Sequence, residues 1–417
     1  MAQLTDDCFA FGGKLISLPE ARHLIAERFA CVCGAEPVAL FEADGRVLVE
    51  DLVAGLDVPA ADNSAVDGYA VHFDDLHPRQ ETVLAVSGRV AAGHPLQGVV
   101  PRGHAARVFT GALMPAGVDT VIMQEDCVIE GSQVRIRPGI RRGANRRLVG
   151  EDVRGGTAVL RAGRRLGPPE VGVAASLGNT SLLVRRRLRA ALFSTGDEIA
   201  EPGTVLQHGR IYDSNRFMVA ALLRRAGVLV TDGGILPDRP ADIQGALAAA
   251  SAGHDLLLTS GGVSTGEEDH VRDAIAALGT LAFWRLGIKP GRPVAVGDIG
   301  GIPLVGLPGN PVAAMVTYMA VARPLLAALA GEAMRPPPRL SATADFSYRK
   351  KRDRREFVRV RLASTETGLI ASRFPREGAG ILTSLTDSDA LAELPEALIE
   401  LSPGEVIACL PLASLYD

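Results

Sequence analysis

Leu256-Leu257-Leu258-Thr259-Ser260-Gly261-Gly262-Val263-Ser264-Thr265-Gly266-Glu267-Glu268-Asp269 decides how the middle of this chain is read. An apolar run bounded by small and polar residues marks a strand buried on both faces, and the hydroxyls, glycines and acids behind it mark a loop at the strand's carboxyl end. The same rhythm recurs on either side. Apolar runs at Ala190 to Phe193, Val228 to Val230, Val294 to Val296 and Ile302 to Val305 alternate with helical stretches near Asn215 to Arg225, Ala241 to Ala250, His270 to Leu278 and Pro311 to Leu329. This alternation predicts a mostly parallel sheet covered by helices on both faces, a three-layer α/β/α domain over 186–334.

Outward from that centre the texture changes. Ser17-Leu18-Pro19-Glu20 reads as a capping box, with Ala21, Leu24, Ile25 and Phe29 on one helical stripe behind it. Short apolar runs broken by Gly and Pro (Thr82 to Val86, Ala106 to Thr110, Thr120 to Met123, Val134 to Ile136) predict a small β domain over 53–144. The flanking segments 14–52 and 145–185 are expected to pair as one discontinuous, elongated helical and β domain. Arg335-Pro336-Pro337-Pro338 makes a stiff linker, and 335–417 is expected to form a second small β domain. The fold class is therefore α/β plus β, multidomain, in a chain of 417 residues.

Charge and composition exclude several functions. The 44 basic and 48 acidic residues nearly cancel, and basic runs such as Arg185-Arg186-Arg187 and Lys350 to Arg355 lack interleaved aromatics, so no nucleic-acid partner is expected. The longest apolar stretch, Ala313 to Ala330, is interrupted by Arg323 and Pro324, and no membrane span is expected. An acidic N-terminus and scattered cysteines (Cys8, Cys31, Cys33, Cys127, Cys409) without zinc-ligand spacing point to a cytoplasmic chain with free thiols. Walker A, HExxH and strand-following GxGxxG signatures are absent.

Ligands of open α/β sheets bind beyond the carboxyl ends of the strands, and each strand end here carries a polar cluster. The clusters are Ser194-Thr195-Gly196-Asp197-Glu198, then Asp232 and Asp238, then Ser260 to Asp269, and finally Gly306-Leu307-Pro308-Gly309-Asn310-Pro311, where Asn310 is placed to cap a helix and free N–H groups would suit an anion. Any one of these alone is a turn with a helix cap. Glu198, Asp238 and Asp269, on three separate loops, suit a hard divalent cation held between protein and phosphate oxygens. Only Lys14, Lys289, Lys350 and Lys351 are lysines among the 44 basic residues, so Lys289 in Lys289-Pro290-Gly291-Arg292-Pro293 suggests a compact charge for an oxyanion.

In this order the clusters resemble the molybdopterin molybdenumtransferases, the bacterial molybdenum-insertion enzymes related to gephyrin. The resemblance extends over Pro59-Ala60-Ala61-Asp62-Asn63-Ser64-Ala65-Val66-Asp67-Gly68-Tyr69-Ala70, Thr110-Gly111 with Met114-Pro115, Gly143-Ala144-Asn145 with Gly150-Glu151-Asp152, Ile211 to Asn215, and the strand-end clusters above. It implies an enzyme that takes adenylylated molybdopterin and molybdate to molybdenum cofactor and AMP, assisted by magnesium or another divalent cation. It also implies a homodimer whose site is shared between subunits, with Asp62, Asp67 and Thr110 reaching it from the partner chain, and a transient contact with the adenylylating enzyme.

By the same resemblance Asp269, Glu198, Lys289 and Asp238 would be catalytic. Ser64, Asp152, Ser194, Thr195, Gly196, Ser260, Gly261, Gly262, Ser264, Arg285, Arg292, Pro293, Pro308, Gly309, Asn310 and Arg355 would bind substrate, with Asp62, Asp67 and Thr110. The chain departs from the family at Arg285, where a lysine is frequent, and at Ala379, where a serine is expected; molybdate affinity and the choice between molybdate and tungstate hang on these positions. Two other readings are a non-catalytic gephyrin-like scaffold and another phosphoanhydride-cleaving α/β enzyme.

Overall fold

Along the strand Arg189–Thr195, Ala190 and Leu192 enter one core while Ala191 and Phe193 enter another, so a period of two buries both faces of the sheet. Leu256–Ser260 divides the same way: Leu256 and Leu258 face Val219, Leu223 and Val312, whereas Leu257 faces Ile243, Leu247 and Ile275. A computed structural model describes residues 15–263 and 270–415 of the chain. Its central sheet runs Leu229–Leu236, Arg189–Thr195, Leu256–Ser260, Ile302–Leu307, Ala295–Ile299, Gly279–Trp284. The first four strands are parallel, Ala295–Ile299 runs antiparallel to them, and Gly279–Trp284 pairs antiparallel with Ala295–Ile299. The edge strand Gly279–Trp284 is not among the expected apolar runs, because helix His270–Leu278 passes straight into it at Leu278-Gly279.

Helices Asn215–Arg225, Pro240–Ser251 and His270–Leu278 lie where periodicity expects them. The apolar stretch Pro311–Ala330 is one helix of core, 83% buried over its most apolar window. Its middle, Tyr318–Ala322, widens into a π turn directly before Arg323–Ala330. Pro324 there has no N–H and would crowd the carbonyl four residues back, which a widened turn relieves. The capping box is formed: Glu20 Oε2 accepts from Ser17 N at 2.7 Å and Ser17 Oγ accepts from Glu20 N at 3.3 Å. The helix it opens, Leu18–Arg28, buries Leu18, Ala21 and Ile25 against the Pro311–Ala330 helix, while Leu24 is exposed.

Outside the central sheet, Ala35–Ala39 pairs with Ser181–Arg185 and Leu52–Val53 with Ala158–Leu160, so the two segments that flank the β region meet. That region is a six-stranded sheet in the order Thr120–Met123, Gly68–Val71, His104–Val108, Thr82–Val90, Gln133–Ile136, Cys127–Glu130. Residues beyond the proline linker form a barrel. Arg355–Thr365, Gly368–Arg373, Leu340–Ala344, Val406–Pro411 and Ala390–Leu394 pair in that order, and the last strand pairs back to the first. Closure removes the exposed edges. A short strand from the central domain, Ile288–Lys289, adds to the barrel in parallel register, Ile288 opposite Arg355 and Lys289 opposite Glu356. This graft fixes the barrel over the carboxyl ends of the central strands.

Candidate active site

Between the strand ends and the barrel lies a cavity of about 1000 Å³. Ser194, Thr195, Gly196, Glu198, Asp238, Ser260, Gly261, Gly262, Lys289, Arg292, Pro293, Pro308, Gly309 and Asn310 all line it. The loop after Leu256–Ser260 crosses the end of Arg189–Thr195 at close range. Gly261 has φ +98°, and a Cβ there would stand 2.5 Å from the Thr195 carbonyl oxygen. Asn215 ties three loop ends together from inside: its Nδ2 donates to Ser260 Oγ at 2.9 Å and to the Gly309 carbonyl at 2.7 Å. From the sequence Asn215 stands at a helix start and closes the family-like segment Ile211 to Asn215, but it is not among the expected site residues.

The strand-end wall carries oxygen. Ser194 Oγ and Thr195 Oγ1 are buried and have no hydrogen-bond partner among the described residues, an arrangement that folded chains rarely tolerate away from ligand sites. Asp238 Oδ2 accepts from Asp197 N at 3.1 Å and Asp197 Oδ1 accepts from Asp238 N at 3.3 Å, pinning two strand-end loops to each other. Glu198 folds back over Gly196, where a Cβ would meet its Oε2 at 2.4 Å. Asp269 and Ser264, expected beside them, lie outside the described residues. No Cys, His or Met is among the described residues lining the cavity, and no three described side chains make a complete metal cage. Two carboxylates beside a substrate-sized space fit a hard cation such as magnesium, which binds few protein oxygens and completes its shell from water and phosphate.

The barrel wall carries cations. Lys289 Nζ lies 3.3 Å from Tyr348 Oη and 3.4 Å from Glu356 Oε2, and Tyr348 Oη donates to Glu356 Oε2 at 2.7 Å. Burial and the Glu356 carboxylate push the Tyr348 phenol above its ordinary value, so it remains a donor at working pH. Arg354 closes the same network through Nη2 to Glu356 Oε1 at 2.6 Å. Arg359, Arg373 and Arg376 extend the cationic wall. Arg359 donates to the Gly378 carbonyl at 2.7 Å and to Ser384 Oγ at 3.0 Å, and burial lowers its pKa.

Three expectations change in detail. Arg355 does not line the cavity; it turns away from it and donates to Glu393 at 2.7 Å and to Glu396 at 3.0 and 3.1 Å. Its neighbours Arg354 and Arg359 stand on the cavity instead. Arg285 is buried at φ +87° and lies off the cavity lining, its backbone N–H meeting the Val294 carbonyl at 3.4 Å. Asn310 occupies the N-cap position of its helix without a side-chain cap bond, and the Val312 N–H is accepted by the Ala379 carbonyl at 2.9 Å. The helix start that looked open to an anion is thus partly occupied by a barrel loop.

Asp62, Ser64, Asp67, Thr110 and Asp152 lie apart from this cavity within the chain. Asp67 Oδ1 accepts from both Thr110 N and Thr110 Oγ1 at 2.8 Å, which holds its carboxyl below the usual range. Asp62 Oδ1 accepts from Val149 N at 2.8 Å, Ser64 Oγ donates to the Val66 carbonyl at 2.6 Å, and Asp152 N donates to the Val58 carbonyl at 3.0 Å.

Family models match the chain in three consecutive blocks: the MoeA N-terminal region (domain I and II) over 16–178, a probable molybdopterin binding domain over 191–328, and the MoeA C-terminal region (domain IV) over 341–412. The molybdopterin molybdenumtransferase of Haemophilus influenzae is 37% identical over 96% of this chain and 100% of its own length. Molybdopterin molybdenumtransferase 2 of Mycobacterium tuberculosis is 35% identical over 93% of this chain and 97% of its own. The crystal structure of the molybdopterin biosynthesis MoeA protein of Pyrococcus horikoshii superposes with a TM-score of 0.81 at 30% identity, covering 95% of this chain and all of that one. Similarity at this level along the whole chain, joined to the strand-end cavity and the closing barrel, shows that the chain belongs to the MoeA family, the molybdopterin molybdenumtransferases of molybdenum cofactor biosynthesis.

Proposed function

We propose that this chain inserts molybdate into adenylylated molybdopterin in the cavity beneath the barrel, releasing molybdenum cofactor and AMP. The observation that carries the reading is the sorting of charge across one space: carboxylates and unpartnered hydroxyls on the strand-end wall, Lys289, Arg292, Arg354 and Arg359 on the barrel wall. Cleaving a phosphoanhydride builds negative charge on phosphoryl oxygens, which fixed cations stabilise without reorganising. Lys289 and Arg292 would meet molybdate or phosphate, and the Ser194 and Thr195 hydroxyls would bind polar groups of the pterin adenylate. Magnesium held by Glu198, Asp238 and Asp269 would neutralise phosphoryl charge. The sulfurs that receive molybdenum belong to the substrate, so the cavity needs no thiol of its own.

The reading includes a cytoplasmic homodimer in which Asp62, Ser64, Asp67, Thr110 and Asp152 of one subunit complete the cavity of the other, and a transient handover from the adenylylating enzyme. Its domains would be 14–52 with 145–185, 53–144, 186–334 and 335–417. The Asp67 and Thr110 pair supports this, because two donors on one oxygen hold a carboxylate fixed and ionised outside the chain's own cavity. Purified protein given adenylylated molybdopterin, molybdate and magnesium is expected to release AMP and yield cofactor that activates an apo-molybdoenzyme. Intact adenylate at the end of that incubation overturns the reading.

A further inference from the structure

Behind the barrel wall of the cavity is a second pocket of about 240 Å³, enclosed by the Leu18–Arg28 helix, the Pro311–Ala330 helix, the proline linker and the barrel. Phe357 forms part of the wall of both spaces. Among the described residues, the charges lining the smaller one are Arg22, Arg323, Arg335 and Arg339 against one carboxylate, Glu393. The acids within reach are already shared. Glu393 accepts from Arg339 Nε at 2.8 Å and from Arg355 Nη1 at 2.7 Å. Glu332 accepts from Arg323 at 2.9 and 3.1 Å and from Arg165 at 2.6 Å.

Arg22 is the cation without a share. It is half-buried, its Nε is closed off from solvent with no acceptor among the described residues, and its side chain makes no hydrogen bond or ion pair among them. A guanidinium cannot shed its proton to escape burial, and here burial and the neighbouring Arg355 and Arg339 cations outweigh the attraction of Glu393 and press its pKa down. The exposed linker residue Arg335 faces the same space. Opposite the arginines the wall is apolar, made by Met319, Phe357 and Leu410. We propose that this pocket binds an oxyanion of the phosphate class, with Arg22, Arg335 and Arg339 meeting the charge and the apolar wall meeting any organic group esterified to it. Size, surplus positive charge and an unsatisfied donor together specify that chemistry.

Calorimetric titration of the full chain with inorganic phosphate and with phenyl phosphate tests this. To keep the main cavity from contributing, the Lys289→Ala chain is titrated beside the wild type, and binding is expected in both. Arg22→Gln is expected to weaken binding at least about tenfold, since it removes charge-assisted hydrogen bonds, and Arg335→Gln on the exposed linker about threefold. Arg22→Gln is expected to keep its molybdenum-transfer rate at saturating substrate and to melt no lower than the wild type. A tighter fit for phenyl phosphate identifies an ester as the occupant, and equal affinities identify the free anion. No binding by the wild type, or unchanged affinity in both arginine variants, overturns the proposal.

Discussion

The Lys289 ammonium sits on a flexible stem, yet it is held by Tyr348 Oη and Glu356 Oε2, and the second of these oxygens belongs to a carboxylate that is 1% exposed. Such a carboxylate must keep its partners, and it has three: Lys289, Tyr348 and Arg354. Tyr348→Phe removes the donor that bridges Lys289 to Glu356 while leaving the ring in place. We expect it to cost about 1 kcal/mol of stability. The KM for molybdate should rise several-fold while kcat changes less, and a purely structural tyrosine would leave that ratio unmoved. Ala379 allows the reverse experiment. Its carbonyl is taken up by the Val312 N–H, but its side chain faces the cavity where relatives are expected to carry a hydroxyl. Ala379→Ser should tighten molybdate by up to about fivefold, the worth of one hydrogen bond, with the fold unchanged. Equal molybdate affinity in the two proteins would separate this position from oxyanion binding.

At the scale of elements the site depends on how closely two strand ends approach each other. A methyl group at Gly261 would collide with the Thr195 carbonyl, and the backbone there already has a positive φ. Gly261→Ala should therefore destabilise the chain by about 2 kcal/mol and abolish most turnover, read by thermal melting and by AMP release. The sequence showed the central sheet, its helices and the polar strand ends because burial on two faces and turn chemistry are local patterns. It showed Lys289 for a similar local reason, as a lysine among arginines. It did not show that Glu356 lies beneath Lys289, since that neighbourhood exists only because Ile288–Lys289 joins Arg355–Thr365 across more than sixty intervening residues. The exchange of Arg355 for Arg354 and Arg359 has a similar cause: Arg355 is taken up by Glu393 and Glu396, carboxylates about forty residues away that an Arg-Arg-Glu-Phe run does not reveal. Asn310 illustrates another limit, because cap chemistry was legible in its sequence while the competing Ala379 carbonyl came from a distant loop.

Across the whole molecule one apolar core runs through the N-terminal helix, the central domain and the barrel, and among the ion pairs that join modules Glu332 is the most deeply shared. It stands just past the end of the Pro311–Ala330 helix, its side chain 7% exposed, and accepts from Arg323 on that helix and from Arg165 in the segment that pairs with the N-terminal strands. Burial alone would raise its pKa, but hydrogen bonds from Arg165 and Arg323 outweigh burial and bring it down from 4.5 to about 2. A depressed carboxylate stabilises the folded chain wherever it is ionised in both states, that is above about pH 4.5, and that stabilisation fades as pH falls through the folded value near 2. Its size follows from the shift at roughly 1.4 kcal/mol per unit, giving about 3 kcal/mol near neutrality. Glu332→Gln should therefore unfold at a clearly lower denaturant concentration than the wild type at pH 7. The two midpoints should draw together between about pH 4.5 and 2 as the wild-type carboxylate takes up its proton. Because Glu332 joins modules and not strands of one sheet, the loss should appear first in the contact between the 35–185 region and the central domain, as faster proteolysis between them at neutral pH. Parallel pH profiles for the two proteins would show that this shared carboxylate does not hold the modules together.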